Sequence, residues 1–429
     1  MNCDLMVGAD VGLVNTVAKE VHRQLYPQHF TGSQVIEDVG ATVSWDVKKA
    51  PVFDLSPAEA SEVDLRARFA SGPADGGMTE DEVTEHVAAL RNSLSESTFQ
   101  VRLNQVRVTV DTGDGKPVGE DVAVTVQVQA TASDTGLFSL NPFRAAADAP
   151  GKVDRTFLDR VVLPNVLDRV RTVLSGIALP APQIPGLPLS VPIPVIRSQQ
   201  AAAALNLPEH GMPKPPFPDS WPSGPFFALL GHDTVERVTK MATAYLEGKT
   251  FPARGQKDVG VGSAYYKAAI SIHHVQCEVV WDNGQPAVLV HASVSGSGSA
   301  GINWWWGGST DAFFDLHLEP DPTVTLALAM QGTTLKATAV DMTSFGLKLV
   351  PTRNDIVSLI FSWVVDALSS TFGDLVRDAL RGVEFEVGTF PAIPVDVAPV
   401  RLDVMPTDLV LARFGDALAI EGNLAVTQR

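Results

Sequence analysis

The stretch 182–195, PQIPGLPLSVPIPV, sets five prolines among Leu, Ile and Val and carries no charged residue. Proline-rich segments are usually wetted polyproline ligands or stiff linkers, and this one is too apolar for either. Leu187, Leu189, Val191, Ile193 and Val195 recur at every second position, so in an extended chain they leave one face. Pro188, Pro192 and Pro194 fall in the other phase. Successive residues of a strand aim their N–H groups at opposite edges. Prolines confined to one phase therefore strip donors from one edge only, which describes an edge strand with one oily face.

The pattern returns later in the chain. LSGIALPAPQIPGLPLSV (174–191) lies without a gap over LRGVEFEVGTFPAIPVDV (380–397), pairing Gly176 with Gly382, Pro185 with Pro391, Pro188 with Pro394, Leu189 with Val395 and Val191 with Val397. Helix termination accounts for the two glycines. It does not account for the shared proline phase, and a tandem duplication does.

The rest of the chain reads as two similar halves. The first opens with a helix over 10–25, whose Val14, Val17, Val21 and Leu25 form an apolar stripe and which Tyr26 and Pro27 end. Strict alternation then predicts a hairpin, with Val106, Val108 and Val110 on one strand and Val124, Val126 and Val128 on the other. Before it, Thr79 and Glu82 make a capping box for a surface helix over 79–94. A second amphipathic segment, 157–174, carries Val166 and Val170 and contains Pro164.

The second half repeats this order. Val235, Val238 and Leu246 stripe a helix over 233–246, and hairpins turn at Asn283 and Gly284 and at Gln331 and Gly332, the latter holding Leu326 and Leu328. A helix over 354–381 follows, with Ile356, Ile360, Val364, Leu368, Phe372 and Val376 on one face; at 1.5 Å per residue it spans roughly 40 Å. Its unbroken stripe makes the second half the better place for a continuous groove. The tail carries Ile393 and Val395. Between the halves, 206–225 holds seven prolines and reads as a linker, leaving modules 1–205 and 226–429.

Composition narrows the function. The chain has 429 residues, 45% hydrophobic and 19% charged, with a formal charge of −17. So acidic a surface repels phosphate backbones and anionic headgroups, which excludes nucleic acid as a natural partner. The first basic residue is Lys19, so no signal-like basic region precedes an apolar core. Synthesis for the cytoplasm is the expectation, with export by a signal-independent route left open. No stretch supplies about twenty uninterrupted apolar residues for a membrane span. Two cysteines, Cys3 and Cys277, make neither a disulfide framework nor a paired-cysteine metal site.

The order of elements, the duplication and the IPGLPLSVPIPV tail resemble the tubular lipid-binding superfamily, typified by the bactericidal/permeability-increasing protein and its bacterial toxin-cluster relatives. The resemblance implies an elongated α+β protein of two tandem tubular modules, each a strongly curved antiparallel sheet wrapped around a long helix. It implies a fatty acid or phospholipid as ligand, held in a tunnel without enzyme chemistry or cofactor. The walls fall to the apolar residues named above, from Val14 to Val395, Ile193 and Val195 excepted. The eukaryotic members are secreted, often basic and usually disulfide-bonded. This acidic chain with one cysteine per half fits the cytoplasmic bacterial type, some of which serve larger assemblies. Periodicity alone does not separate a lined tunnel from a filled core, so a protein-docking accessory with closed cores stands as the alternative.

Other motifs carry less. GSGSAG (296–301) matches a dinucleotide fingerprint but leads into INWWWGG where a helix is required, so its glycines read as a flexible tip. Trp304, Trp305 and Trp306 in that loop suit a membrane interface or a protein partner. His273, His274, His291 and His317 lack the companions of a metal site. No nucleophile elbow, phosphate loop or catalytic carboxylate pair is singled out.

Overall fold

The computed structural model describes residues 2–37, 40–56, 97–113, 115–133, 137–147, 163–175, 179–180, 187–244, 247–258, 260, 262–282, 284–343, 346–351, 368, 384–397 and 400–429. The chain begins with β1 (Leu5–Asp10), α1 (Val11–Leu25), β2 (Thr31–Ile36), β3 (Ala41–Val47) and β4 (Val52–Asp54). It continues with β5 (Thr98–Asp111), β6 (Val118–Ala132), β7 (Leu137–Ala147), α2 (Leu163–Ser175), β8 (Leu179–Pro180), β9 (Ile193–Arg197) and β10 (Gln200–Leu205). Then come β11 (Phe226–Leu230), α3 (His232–Thr243), β12 (Thr250–Asp258), β13 (Gly262–Asp282), β14 (Gln285–Trp304) and β15 (Ser309–Glu319). The last strands are β16 (Thr323–Gln331), β17 (Thr334–Met342), β18 (Gly346–Pro351), β19 (Glu384–Thr389), β20 (Ile393–Val397), β21 (Val400–Phe414) and β22 (Ala417–Gln428).

Two compact units result: Met1–Leu230 with Phe390–Leu409 and Ala419–Arg429, and Gly231–Thr389 with Val410–Leu418. The class is α+β and tubular, with strands predominating. Each unit is built on a curled antiparallel sheet against which a helix packs.

The first unit holds one seven-stranded sheet and most of another. One has the order β2-β3-β5-β6-β7-β8, with β4 beside β5; the other has the order β20-β21-β22-β11-β1-β10-β9. The expected hairpin is β5–β6, paired from Thr98 and Gln129 to Val110 and Val118. Helix α1 starts where Asp10 Oδ1 accepts from the Leu13 N–H at 2.8 Å, satisfying one of the donors that a helix start leaves free. It ends at Tyr26, whose N–H reaches the His22 carbonyl, and the peptide to Pro27 is cis.

The proline-rich tail lies at an edge, as its phase predicts: β9 pairs β10 and ends the sheet. Ser198 and Gln199, with φ of 52° and 64°, make the two-residue turn that joins them. Arg197 and Gln200 close that turn, so alternation of the ladder turns the nitrogen of Pro194 away from β10. Two details differ from expectation. The strand covers only 193–197, with Leu187, Leu189 and Val191 preceding it outside any strand. Both of its faces are covered, since Val195 and Ile196 are each buried.

Strands β1 and β11 form the middle of that sheet. Leu5, Met6 and Phe226 to Leu230 are buried, whichever face they occupy. Each strand leads directly into a helix, and the two segments match residue for residue: N-cap Asp10 with N-cap Gly231, Val14 with Val235, Val17 with Val238. This second correspondence supports the duplication read from the proline tails. The stretch 206–225 packs on the unit: Leu207, Phe217 and Trp221 are buried, and Arg197 donates to the carbonyls of Phe217 and Pro218 at 3.1 Å.

The second unit is an eight-stranded sheet of order β12-β13-β14-β16-β17-β19, with β15 and β18 continuing from β14. Hairpin β13–β14 turns at Gly284, φ 80°, and β16–β17 at Gly332, φ 61°, as the sequence predicts. Helix α3 packs on β13 and β19, and its Val235 and Val238 are buried. The GSGSAG stretch corrects its reading as a tip: it lies within β14, paired to β13 and β15 on its two sides. A methyl on Gly298 would meet the Phe314 ring at 2.6 Å, so glycine there serves close strand approach. Of the helix expected over 354–381, only Leu368 is described, helical and fully buried; the helix expected over 79–94 lies outside the described residues.

Candidate functional site: an apolar cavity in the first unit

Helix α1 has two jobs along one stripe. Val21 and Leu25, at its C-terminal end, join the core of the curled sheet together with Val106, Val108, Val124, Val126 and Val128. Toward its N-terminal end, Leu13, Val14, Val17 and Ala18 border open space, with Val21 at the limit. Val166 and Val170 of α2, one turn apart, border the same space.

That space is a cavity of about 350 Å³. Its walls come from both sheets of the first unit. Phe99, Val101 and Leu103 alternate inward from β5, and Trp45, Phe53 and Leu140 join them from β3, β4 and β7. The other sheet contributes Val7, Gly8 and Ala9 of β1, Pro194 and Ile196 of β9, Ile393 and Val395 of β20, and Leu424 of β22. Strand β10 makes the room: its run Ala201, Ala202, Ala203 lines the cavity with methyl groups where larger side chains would fill it.

The lining is hydrocarbon almost throughout. Among the described residues, His29, beside Phe30 at the end of the α1 connection, is the one wall residue with an ionisable side chain. Charge sits behind the wall. Asp54 closes β4 and accepts hydrogen bonds from the Ser56 hydroxyl, from Gln199 Nε2 at 2.7 Å and from Arg102 Nη2 at 2.8 Å. These donors, the Ser56 hydroxyl foremost, hold its carboxyl below the ordinary carboxylate range against the opposing effect of burial. Gln199 in turn accepts from the Leu55 N–H at 3.2 Å through its side chain and from the Val11 N–H at 2.8 Å through its backbone. One carboxylate thus ties together the wall strand β4, the β9–β10 turn and the start of α1.

Of the residues the sequence nominates for a tunnel wall, Val14, Val17, Val21, Val166, Val170, Ile393 and Val395 border this cavity. Leu25, Val106, Val108, Val124, Val126 and Val128 lie in the adjoining packed core, and Val110 is half-buried near the strand end. Leu187 is buried, and Leu189 and Val191 are half-buried. Val235, Val238, Leu326 and Leu328 are buried in the second unit. Leu246, Ile356, Ile360, Val364, Phe372 and Val376 lie outside the described residues. Sequence reasoning missed the contributions of β1, β10 and β11. The available signal was the uninterrupted apolar runs LMVGA and FFALL and the four consecutive alanines.

Three of the four nominated histidines are engaged separately: His273 with Ser295, His274 with Gln276, His291 with Thr323. Trp304 ends β14, and Trp305 and Trp306 stand out from the turn that follows it. No described helix is long and apolar enough to cross a membrane.

No family model matches the sequence, and no curated protein matches it. Among solved structures, P47 of Clostridium botulinum E1 is similar over 99% of this chain and 99% of its own, at 9% identity and a TM-score of 0.53. P47 from Clostridium botulinum A2 matches over 98% and 97% at 10% identity, TM-score 0.47. A lipopolysaccharide binding protein matches over 99% of each chain at 11% identity, TM-score 0.33. At such identities the likeness is one of fold, and the first structure carries it. That likeness agrees with the two-module tubular architecture.

Proposed function

We propose that this chain is a non-enzymatic binding protein that holds an acyl chain, of a fatty acid or a phospholipid, in the cavity of its first unit, and carries or presents it. The observation behind this reading is the cavity itself: about 350 Å³ with a wall of valine, leucine, alanine and aromatic side chains. Ligand sites run from about 300 to 1,000 Å³. Hydrocarbon suits such a wall, since each CH₂ drawn from water contributes about 0.8 kcal/mol. A polar or charged ligand would leave its groups unpaired against such a wall.

The test is native mass spectrometry of protein purified from its host, before and after solvent extraction, followed by titration with a fluorescent fatty acid. A co-purifying lipid mass that extraction removes, and saturable uptake of the probe by the extracted protein, are expected. Plugging the space with Val17→Trp or Ala201→Phe should abolish uptake while the fold, read by circular dichroism, persists. Protein that arrives without lipid and takes up no probe overturns the reading and favours a docking protein. Uptake unchanged in both plugged variants moves the ligand elsewhere.

A further inference from the structure

The hairpin between β14 and β15 turns on Gly307 and Gly308, whose φ values of 100° and 90° favour glycine. Trp304 anchors it. Its Nε1–H donates to Thr310 Oγ1 at 3.1 Å, and its backbone N–H donates to the Gly308 carbonyl at 3.1 Å. The Trp306 ring stacks on the Trp304 ring at 4.9 Å. Trp305 and Trp306 are nonetheless 70% and 71% exposed, so the turn is built to present indoles outward.

Among the described residues, the rungs of β13, β14 and β15 nearest the turn carry no charge. The first rungs behind the turn pair Asn303 with Ser263 and Ser309, and Ile302 with Ala264 and Thr310. Charge begins on β12 with one residue of each sign, Asp258 opposite Ser263 and Lys257 opposite Ala264. The next is Asp311, which accepts from the Tyr265 hydroxyl.

We propose that this tip docks the protein on the headgroup region of a zwitterionic bilayer, inserting Trp305 and Trp306. Indole has an apolar body and a polar N–H, and it concentrates where hydrocarbon meets headgroup. A rim of Asn, Ser and Thr matches the uncharged, hydrogen-bonding character of that layer. The formal charge of −17 directs the choice of lipid, because it repels an anionic surface. An outward turn bearing two exposed indoles fits a fluid layer that closes around it. The proposal goes beyond the cavity reading and does not depend on it, since no residue of the tip lines the cavity.

Co-sedimentation of the full chain with phosphatidylcholine vesicles tests it. The wild type should sediment with them, and replacing some of the lipid with phosphatidylglycerol should weaken binding. The double variant W305A/W306A should lose about tenfold or more in partition coefficient, about 1.4 kcal/mol. Its melting temperature and its uptake of a fluorescent fatty acid in vesicle-free solution should stay unchanged, which separates this result from failure of the cavity reading. The single variant Trp305→Ala, which leaves the Trp304–Trp306 stack intact, should show a partial loss. A wild type that stays in solution overturns the proposal, as does equal sedimentation of the double variant. Stronger, salt-released binding to anionic vesicles would also overturn it, as would a stoichiometric protein complex that needs both tryptophans while vesicles are ignored.

Discussion

The ring of Phe227 lies over Gly8. The two are partners across β1 and β11, and a methyl group on Gly8 would stand 2.6 Å from Cε1 of that ring and 2.9 Å from the Ala201 carbonyl oxygen. The same arrangement sets Trp45 over Gly32, Tyr266 over Gly255 and Phe314 over Gly298. In each case an aromatic ring covers the backbone that glycine leaves bare.

Gly8→Ala should therefore destabilise the first unit by about 1–3 kcal/mol, the usual cost of overpacking a filled site. Phe227→Leu removes the clashing ring atoms. The double variant should lose less than the two single losses added together, by at least about 0.5 kcal/mol. Chemical denaturation of all four proteins measures the coupling, and strict additivity would mean that the ring moves aside freely.

How much of this was legible in the sequence depended on whether a strand has a wet face. Hairpin β5–β6 has one, so valines alternate with Arg, Thr and Gln, and the pairing could be read directly. The central strands β1 and β11 are covered on both faces, so LMVGAD and FFALL show no alternation. Their pairing joins residues far apart in the chain, which no local pattern encodes. Both faces of β9 are apolar, and Pro194 and Ile196 border the cavity. The edge position of β9 was readable, because proline's missing donor has only one tolerable direction in a sheet. In GSGSAG, glycine was taken for looseness where it serves tight approach.

Filling the cavity should show in the melting temperature. A ligand that binds only the folded state adds RT ln(1 + [L]/Kd), about 2.7 kcal/mol at a hundredfold excess over Kd. Solvent-extracted protein should melt several degrees below protein as purified, and oleate should restore the difference. Identical melting before and after extraction would mean that nothing occupied the space.

Burial pushes the Cys3 thiol up to about 12 from an ordinary value of 9.0, and burial also raises Cys277. Thiolate is the reactive form, so at pH 8 native Cys3 should react with a disulfide reagent about a thousandfold more slowly than the unfolded chain. The linkage has a definite sign. The folded state keeps the proton that the unfolded thiol releases, so this contribution to stability is complete below about pH 9.0 and is lost as pH rises toward 12. Cys3→Ala should flatten that alkaline decline, and rapid labelling of the native protein would show that the N-terminal strand opens readily.

Asp54 titrates in the opposite sense. Its donors, led by the Ser56 hydroxyl and joined by Gln199 and Arg102, stabilise the carboxylate in the folded state. This contribution is therefore complete above the ordinary carboxylate value, about 3.9, and disappears as pH falls through the lower folded value. Asp54→Asn keeps the shape and removes the charge. At pH 7 it should cost about 1–3 kcal/mol, as expected for hydrogen bonds to a charged group, and the gap to wild type should close as both proteins are taken to acid. Because the carboxylate ties Gln199 to β4, and Gln199 accepts from the Val11 N–H, the loss should also loosen the entrance to α1. Amide exchange at Val11 and Leu55 should then accelerate at neutral pH in the variant, while the β5–β6 hairpin stays protected. Exchange unchanged at both sites would limit Asp54 to a local contact with Ser56.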